Sequence, residues 1–191
     1  MLSEQKVTEI LKEAGVLLDG HFLLTSGRHS GKYLQCARIF QNTQYSETLC
    51  AALAEKYRDA NVDVVIGPAV GAVLIAYEVS RQLGVRNIFA ERDGEGRMTL
   101  RRSFEIAAGE RVLVTEDVVT TGGSVREVID VVRAAGGEVV GVGSIVDRTG
   151  GKVDFGVPFQ AVLSVEVTSY DAEDCPLCRD GIPAVKPGSR K

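Results

Sequence analysis

The run Val112 to Ser124, Val-Leu-Val-Thr-Glu-Asp-Val-Val-Thr-Thr-Gly-Gly-Ser, constrains this chain more than any other part of it. Val112 to Thr115 reads as a short buried strand, with the acids Glu116 and Asp117 where it ends. A Thr-Thr-Gly-Gly-Ser turn follows, and then Val125, Val128, Ile129 and Val132 recur at the i, i+3, i+4, i+7 spacing of a helix. A glycine-rich turn that opens a helix offers unpaired backbone N–H groups and the positive end of the helix dipole to an anion. Thr120, Thr121 and Ser124 add hydroxyl donors, so the turn reads as a phosphate cradle. Carboxylates repel a phosphate, but as pure acceptors they suit the hydroxyls of a sugar. The ligand this arrangement implies is a ribose bearing a 5-phosphate. Neither Gly-x-x-x-x-Gly-Lys-Ser/Thr nor a helix-opening Gly-x-Gly-x-x-Gly occurs.

The rest of the chain alternates strand and helix signals, which argues for an α/β fold with a parallel sheet covered on both faces. Val7, Ile10, Leu11 and Ala14 mark a helix closed by Gly15, and Leu49, Ala52, Leu53 and Tyr57 mark another. Expected strands are Val62–Ile66, Asn87–Ala90, Val112–Thr115, Val139–Val146 and Ala161–Val167. Ala72, Ile75, Ala76 and Val79 line a helix that ends at Gly84. Ligands of such sheets bind beyond the carboxyl ends of the strands. The loops Gly67–Gly71, Glu116–Ser124 and Asp147-Arg148 are therefore expected to converge. Gly67-Pro-Ala-Val-Gly71 reads equally as a backbone holder for a second phosphate and as a tight strand–helix corner.

At 191 residues the chain suits a single domain with a full core. A net charge of −4 disfavours a nucleic-acid surface, and no apolar run is long enough to span a membrane. The first residues lack a secretory pattern, and four cysteines are too few and too scattered for a disulfide framework, so the cytoplasm is the expected location.

The two acids followed by Thr-Thr-Gly-Gly-Ser, set between a strand and an amphipathic helix, resemble the binding loop of the type I phosphoribosyltransferases. These enzymes use 5-phosphoribosyl 1-diphosphate (PRPP). Three further segments resemble the orotate-specific branch. They are Leu24-Thr-Ser-Gly-Arg-His-Ser-Gly-Lys-Tyr33 as an N-terminal hood, Phe89 to Phe104 as a mobile loop, and Asp147-Arg148 at a strand end; the tail from Cys175 fits the longer bacterial form.

The resemblance implies one domain, residues 1–191, with the type I phosphoribosyltransferase fold: a mostly parallel central sheet flanked by helices. A small hood would be formed mainly by residues 1–45 and the C-terminal tail. The resemblance also implies transfer of phosphoribose from PRPP to orotate, a magnesium ion on the diphosphate that need not have protein side chains as ligands, and a homodimer. PRPP would be held by Glu116, Asp117, Val118, Val119, Thr120, Thr121, Gly122, Gly123 and Ser124, and orotate by Thr120 and Arg148, with Asp117 catalytic.

An arginine fork suits the orotate carboxylate, the lesser alternative for Arg148 being a surface ion pair with Asp147 or another acid. The family's mobile loop carries a lysine against the diphosphate, yet no lysine occurs between Lys56 and Lys152. Arg97 is the first substitute and Arg92 the second, with Arg101 and Arg102 also present; alternatively Asp93-Gly94 only turns a hairpin and these arginines are solvated. Thr25 and Val70-Gly71 stand where some relatives have PRPP-contacting lysine or Tyr-Lys, so the grip is expected to lean on backbone amides and on arginines that include Arg28. Cys175-Pro-Leu-Cys178 has the spacing of half a zinc site or of a redox pair, and is otherwise inert. His21 and His29 border the base or are ordinary loop residues. The rival readings are a purine phosphoribosyltransferase and a PRPP-sensing regulator that binds nucleic acid.

Overall fold

The computed structural model describes residues 2–24 and 27–187. Thr25 and Ser26, which belong to the expected hood segment, lie outside the described residues, as do 188–191. The chain opens with α1 (Glu4–Glu13), whose N-cap Ser3 accepts a hydrogen bond from the Lys6 N–H. A two-stranded antiparallel hairpin follows, β1 (Leu17–Leu23) and β2 (His29–Leu34), with a register break between Asp19 and Phe22. A 3₁₀ turn over Cys36–Gln41 leads into α2 (Thr43–Glu55).

The remaining elements form the body. They are β3 (Val64–Pro68), α3 (Val73–Leu83), β4 (Arg86–Arg92), β5 (Met98–Leu100), β6 (Arg111–Val119), α4 (Gly123–Ala134), β7 (Glu138–Asp147) and β8 (Phe159–Ser164). A short helix, α5 (Pro176–Arg179), lies in the tail. The six-stranded sheet has the order β5-β4-β3-β6-β7-β8, and every pairing is parallel except β4 with β5. Successive residues of β3 point to opposite faces, as the two-residue period requires. Val65 joins a core shared with α1, α2 and α3, whereas Val64 and Ile66 join a second core under α4. Val125, Val128, Ile129 and Val132 of α4 are all buried, so the helical spacing in the sequence is the buried stripe of the helix. Burial of each such side chain stabilises the fold by roughly 1.5–3 kcal/mol before entropy is counted.

Expected strand ends shift at several places: Val62–Ile66 is found as Val64–Pro68 and Asn87–Ala90 as Arg86–Arg92, and two further shifts follow from pairing. The strand expected over Val112–Thr115 continues to Val119, because β7 keeps pairing with it through Glu116–Ser144, Val118–Val146 and Val119–Asp147. The strand expected over Ala161–Val167 is found at Phe159–Ser164 and stops where β7 stops, at the Asp147–Ser164 pair.

The topology places the site. From β3 the chain crosses through α3 to β4 on one side, and from β6 through α4 to β7 on the other. The strand order therefore reverses between β3 and β6, the position where open α/β sheets bind ligands. The last β3–β6 pair is Ile66–Val114, so beyond it β6 is paired with β7 only. Glu116 and Asp117 lie on that part of β6, beside the crevice left as β3 ends.

Candidate active site

Gly122 and α4 build the anion cradle. Gly122 is the N-cap of α4 at φ 77°, a left-handed conformation that favours glycine, and a Cβ there would stand 2.7 Å from the Phe155 ring. With that corner fixed, the first turn of α4 presents its N–H groups to a pocket of about 70 Å³ lined by Glu116 and residues 118–125. Thr120, Thr121 and Gly123 are exposed and Ser124 is half-buried, so the hydroxyls are open to solvent beside the pocket.

The acids stand one strand-step before this cradle. Asp117 accepts a hydrogen bond from the Val118 N–H at 2.7 Å, and Glu116 accepts one from the Asp117 N–H at 3.2 Å. Burial pushes the Asp117 carboxyl above the ordinary carboxylate value, with the Val118 N–H acting against the shift. On the β3 side, Gly67 has no room for a side chain, since a Cβ would stand 2.8 Å from that of Ala72 and 3.1 Å from the Thr115 carbonyl oxygen. The following peptide, Ala69–Val70, is cis, and Gly71 lies against the Asp117 carboxylate. The β3 and β6 loops thus meet at Asp117, as expected from the strand order.

Arg148 lies at the end of β7 and is held by its own backbone, whose N–H donates to the Val119 carbonyl at 2.8 Å. Asp147, 3% exposed, does not pair with it: its carboxylate accepts from the Thr149 N–H at 2.7 Å, the Gly151 N–H at 3.2 Å and the Ser164 hydroxyl at 3.4 Å. Asp147 shapes the turn that carries Arg148 and leaves the guanidinium available. Among the described residues, the buried Arg148 Nε and the neighbouring Thr149 Oγ1 have no hydrogen-bond partner. Burial depresses the guanidinium's pKa, which a carboxylate ligand would offset.

The hood reaches the same place through Tyr33 and Cys36. Burial raises the Tyr33 hydroxyl, and the Asp117 carboxylate raises it further while Arg148 opposes. Cys36 is raised mainly by burial and lies within reach of the same two charges. Tyr33 belongs to the quoted hood segment, but Cys36 and Thr149 carry no sequence signal that would single them out. Only their position beside the strand ends does so.

The arginines of the 89–104 segment are placed elsewhere. The segment is a hairpin, with Asp93 N–H donating to the Arg97 carbonyl and Gly96 N–H to the Asp93 carbonyl. Arg97, its side chain 70% exposed, pairs with Asp93 at 3.1 Å and Glu95 at 3.0 Å. Arg92 pairs with Glu127 at 2.7 Å, and Arg101 and Arg102 both pair with Glu91. Within one chain these cations are engaged by Asp93, Glu95, Glu127 and Glu91. Arg28, the other expected phosphate contact, is bound to Asp171 at 2.7 Å and to Ser169. A larger concavity of about 490 Å³, between Arg86–Ile88 and Ser103–Ala107, shares no residue with the strand-end loops.

A glycine-cornered loop, an acid pair and the Arg148 guanidinium lie at the switch point of an α/β sheet and form one candidate ligand site. The family description "Phosphoribosyl transferase domain" matches residues 38–168. Orotate phosphoribosyltransferase of Caldanaerobacter subterraneus subsp. tengcongensis is 60% identical over 190 residues, covering 100% of both chains. Among solved structures, orotate phosphoribosyltransferase from Aeropyrum pernix superposes with TM-score 0.73 at 29% identity, covering 83% of this chain and 93% of that one. Leishmania donovani UMP synthase gives TM-score 0.75 at 27% identity, covering 86% of this chain and 37% of that one. The chain is a pentosyltransferase of the type I phosphoribosyltransferase fold, and it belongs to the orotate phosphoribosyltransferase family.

Proposed function

We propose that this chain transfers the 5-phosphoribosyl group of PRPP to orotate, giving orotidine 5′-phosphate and diphosphate, a step of pyrimidine nucleotide synthesis. The observation that carries the choice of base is Arg148, a guanidinium with an unpartnered buried Nε beside the acid pair. Orotate has a carboxylate to meet that fork, whereas adenine, hypoxanthine and uracil have none.

In this reading the Thr120–Ser124 loop and the start of α4 hold the 5-phosphate, and Glu116 and Asp117 accept from the ribose 2- and 3-hydroxyls. Orotate N1 forms its bond to the ribose C1 as the bond from C1 to the diphosphate oxygen breaks, and the N1 proton passes to solvent or to the departing diphosphate. Positive charge grows on the ribose ring, and the nearby carboxylates stabilise it where it develops. Holding both substrates at the β3–β6 crevice supplies the alignment. Asp117, the acid against which Gly71 of the β3 loop lies, is the residue assigned a catalytic part. Magnesium on the diphosphate suits the hard oxygen donors gathered here, and when bound it would neutralise charge on the leaving group. Arg97, with Arg92 second, is assigned to the leaving diphosphate, which requires its surface ion pairs to open.

A second copy of the chain is the proposed partner. Val70, Leu74 and Tyr77 are 86%, 52% and 56% exposed next to the crevice, and pairing of two copies would cover them. Among the described residues no helix is long and apolar enough to cross a membrane. A cytoplasmic location completes the proposal and suits four free cysteines.

The test is orotate consumption, followed by its ultraviolet absorbance, with PRPP and magnesium, beside adenine, hypoxanthine and uracil. Turnover of orotate alone, sharply reduced in Arg148→Ala, supports the assignment. Turnover of another base, or an Arg148→Ala variant as active as the parent, overturns it.

A further inference from the structure

Four side chains from opposite ends of the chain converge outside the active site. His21 comes from β1, His29 from β2, and Cys175 and Cys178 from the N-cap and third residue of α5. Their ligand atoms all lie within 4.8 Å of one another. His21 Nε2 is 2.8 Å from His29 Nδ1, 3.5 Å from Cys175 Sγ and 3.8 Å from Cys178 Sγ, while Cys178 Sγ is 3.2 Å from His29 Nδ1. Around a tetrahedral zinc ion, with Zn–S near 2.3 Å and Zn–N near 2.0–2.1 Å, neighbouring ligand atoms stand roughly 3.3–3.8 Å apart. The observed separations bracket that spacing.

Hydrogen bonding alone accounts poorly for this cluster. His21 Nδ1 lies 2.6 Å from the Ile182 carbonyl oxygen, which can only accept, so the ring proton belongs on Nδ1 and Nε2 carries a lone pair. That single lone pair faces one imidazole and two thiols, more donors than it can satisfy. A cation in the middle takes a lone pair from each of the four groups instead. The Ile182 carbonyl then becomes the outer partner that fixes the ring of a metal-bound histidine. Two thiolates balance the charge of a dication, and a set of two sulfurs and two imidazoles selects zinc over magnesium or calcium. Cys175 and His21 are buried at 0% and 4% exposure, which keeps the centre out of water on one side.

We propose that His21, His29, Cys175 and Cys178 form a structural zinc(II) site that fastens the C-terminal tail to the hood hairpin. The backbone already joins the same parts: Leu23 N–H donates to the Val185 carbonyl, Val185 N–H to the His21 carbonyl, and His29 and Tyr170 exchange both bonds. The ion would lock this seam four residues from Tyr33, the hood's contact with the active site. All four ligand positions are filled by protein, so the site is closed and structural in character.

The experiment is metal analysis of the full-length protein, purified under reducing conditions without a polyhistidine tag, followed by titration of the stripped protein with zinc and with cobalt(II). The expected result is about one zinc per chain, together with a thiolate-to-cobalt charge-transfer band and intense visible bands of tetrahedral cobalt. Cys178→Ser, altering the exposed ligand, should fold, weaken zinc binding at least tenfold and change the cobalt spectrum. Failure of the reduced wild-type protein to bind zinc stoichiometrically overturns the proposal, as does an octahedral cobalt spectrum. Unaltered zinc binding in both Cys178→Ser and His29→Ala overturns it as well.

Discussion

Between Val112 and Ser124 one run of chain supplies a strand, two acids, a loop and the start of a helix, whereas the hood takes its parts from residues near 20–34 and near 170–185. The first region closes on itself by short-range contacts and rests on a core of buried valines and isoleucines. The second is a two-stranded sheet joined to a tail about 140 residues away, and an isolated hairpin of that kind is marginal in water. Closing so long a loop costs entropy that local contacts do not meet, which is why a staple there has the most to gain. The β6–α4 side of the site is thus held by local packing, and the hood side depends on contacts between distant parts of the chain.

The strongest attack on this contrast is at the base side. Arg148→Ala should cut kcat/KM for orotate about 100-fold, or ~3 kcal/mol, as charged hydrogen bonds and a carboxylate partner are lost. Inorganic phosphate should still bind the cradle, and calorimetry would show whether it does. Asp117→Asn comes next. Because burial raises this carboxyl's pKa, the folded state gains on protonation, and its charged form is a liability that grows as pH rises through the folded value. The variant should therefore melt higher than the parent at neutral pH, and the gap should close as pH falls. Its kcat/KM should drop roughly tenfold through loss of the charged acceptor for the ribose. A lower melting temperature at neutral pH would remove the argument.

Gly122→Ala tests the β6–α4 side. The left-handed backbone and the Phe155 ring together should cost about 1–3 kcal/mol in stability, seen as a lower denaturation midpoint and weaker phosphate affinity. Removing zinc with a magnesium-sparing chelator should lower the melting temperature by a few degrees. In hydrogen exchange it should release residues 17–34 and 170–187 while α4 stays protected. Uniform deprotection would merge the two regions into one cooperative unit. The smallest stability effect belongs to Arg97→Ala, within about 0.5 kcal/mol for so exposed an ion pair. Its kcat decides whether Arg97 or Arg92 serves the diphosphate.

The same contrast explains what could be read from the sequence. The β6–α4 unit was legible because strand, glycine turn and helical stripe follow one another, and each has a period or residue type of its own. Its one surprise, four extra residues of strand through Val119, reflects pairing with β7 that no local pattern carries. The hairpin was harder to see. Leu-Leu-Asp-Gly-His-Phe-Leu mixes polar and apolar residues across a register break, so no clean alternation marks β1. The cysteine pair offered half a metal motif, and its other half consists of two histidines about 150 residues earlier, on neighbouring strands whose pairing is tertiary information. Arg148 was visible as a candidate, but its freedom from Asp147 depends on three hydrogen bonds within the Asp147 turn and Ser164.

The pairing of Val119 with Asp147, reinforced by the bond from Arg148 N–H to the Val119 carbonyl, turns the sheet itself into a gauge. The residues proposed to hold the phosphate follow one strand and the residue proposed to hold the base follows its neighbour, and adjacent strands lie roughly 4.8 Å apart by the geometry of backbone hydrogen bonds. The pairing fixes the backbone positions from which the loop amides and the Arg148 side chain reach toward a ligand. A molecule must carry its acidic base group and its terminal phosphate at the separation one sugar ring provides. Under the proposed function, compounds with the same groups on a longer or shorter tether should bind more weakly.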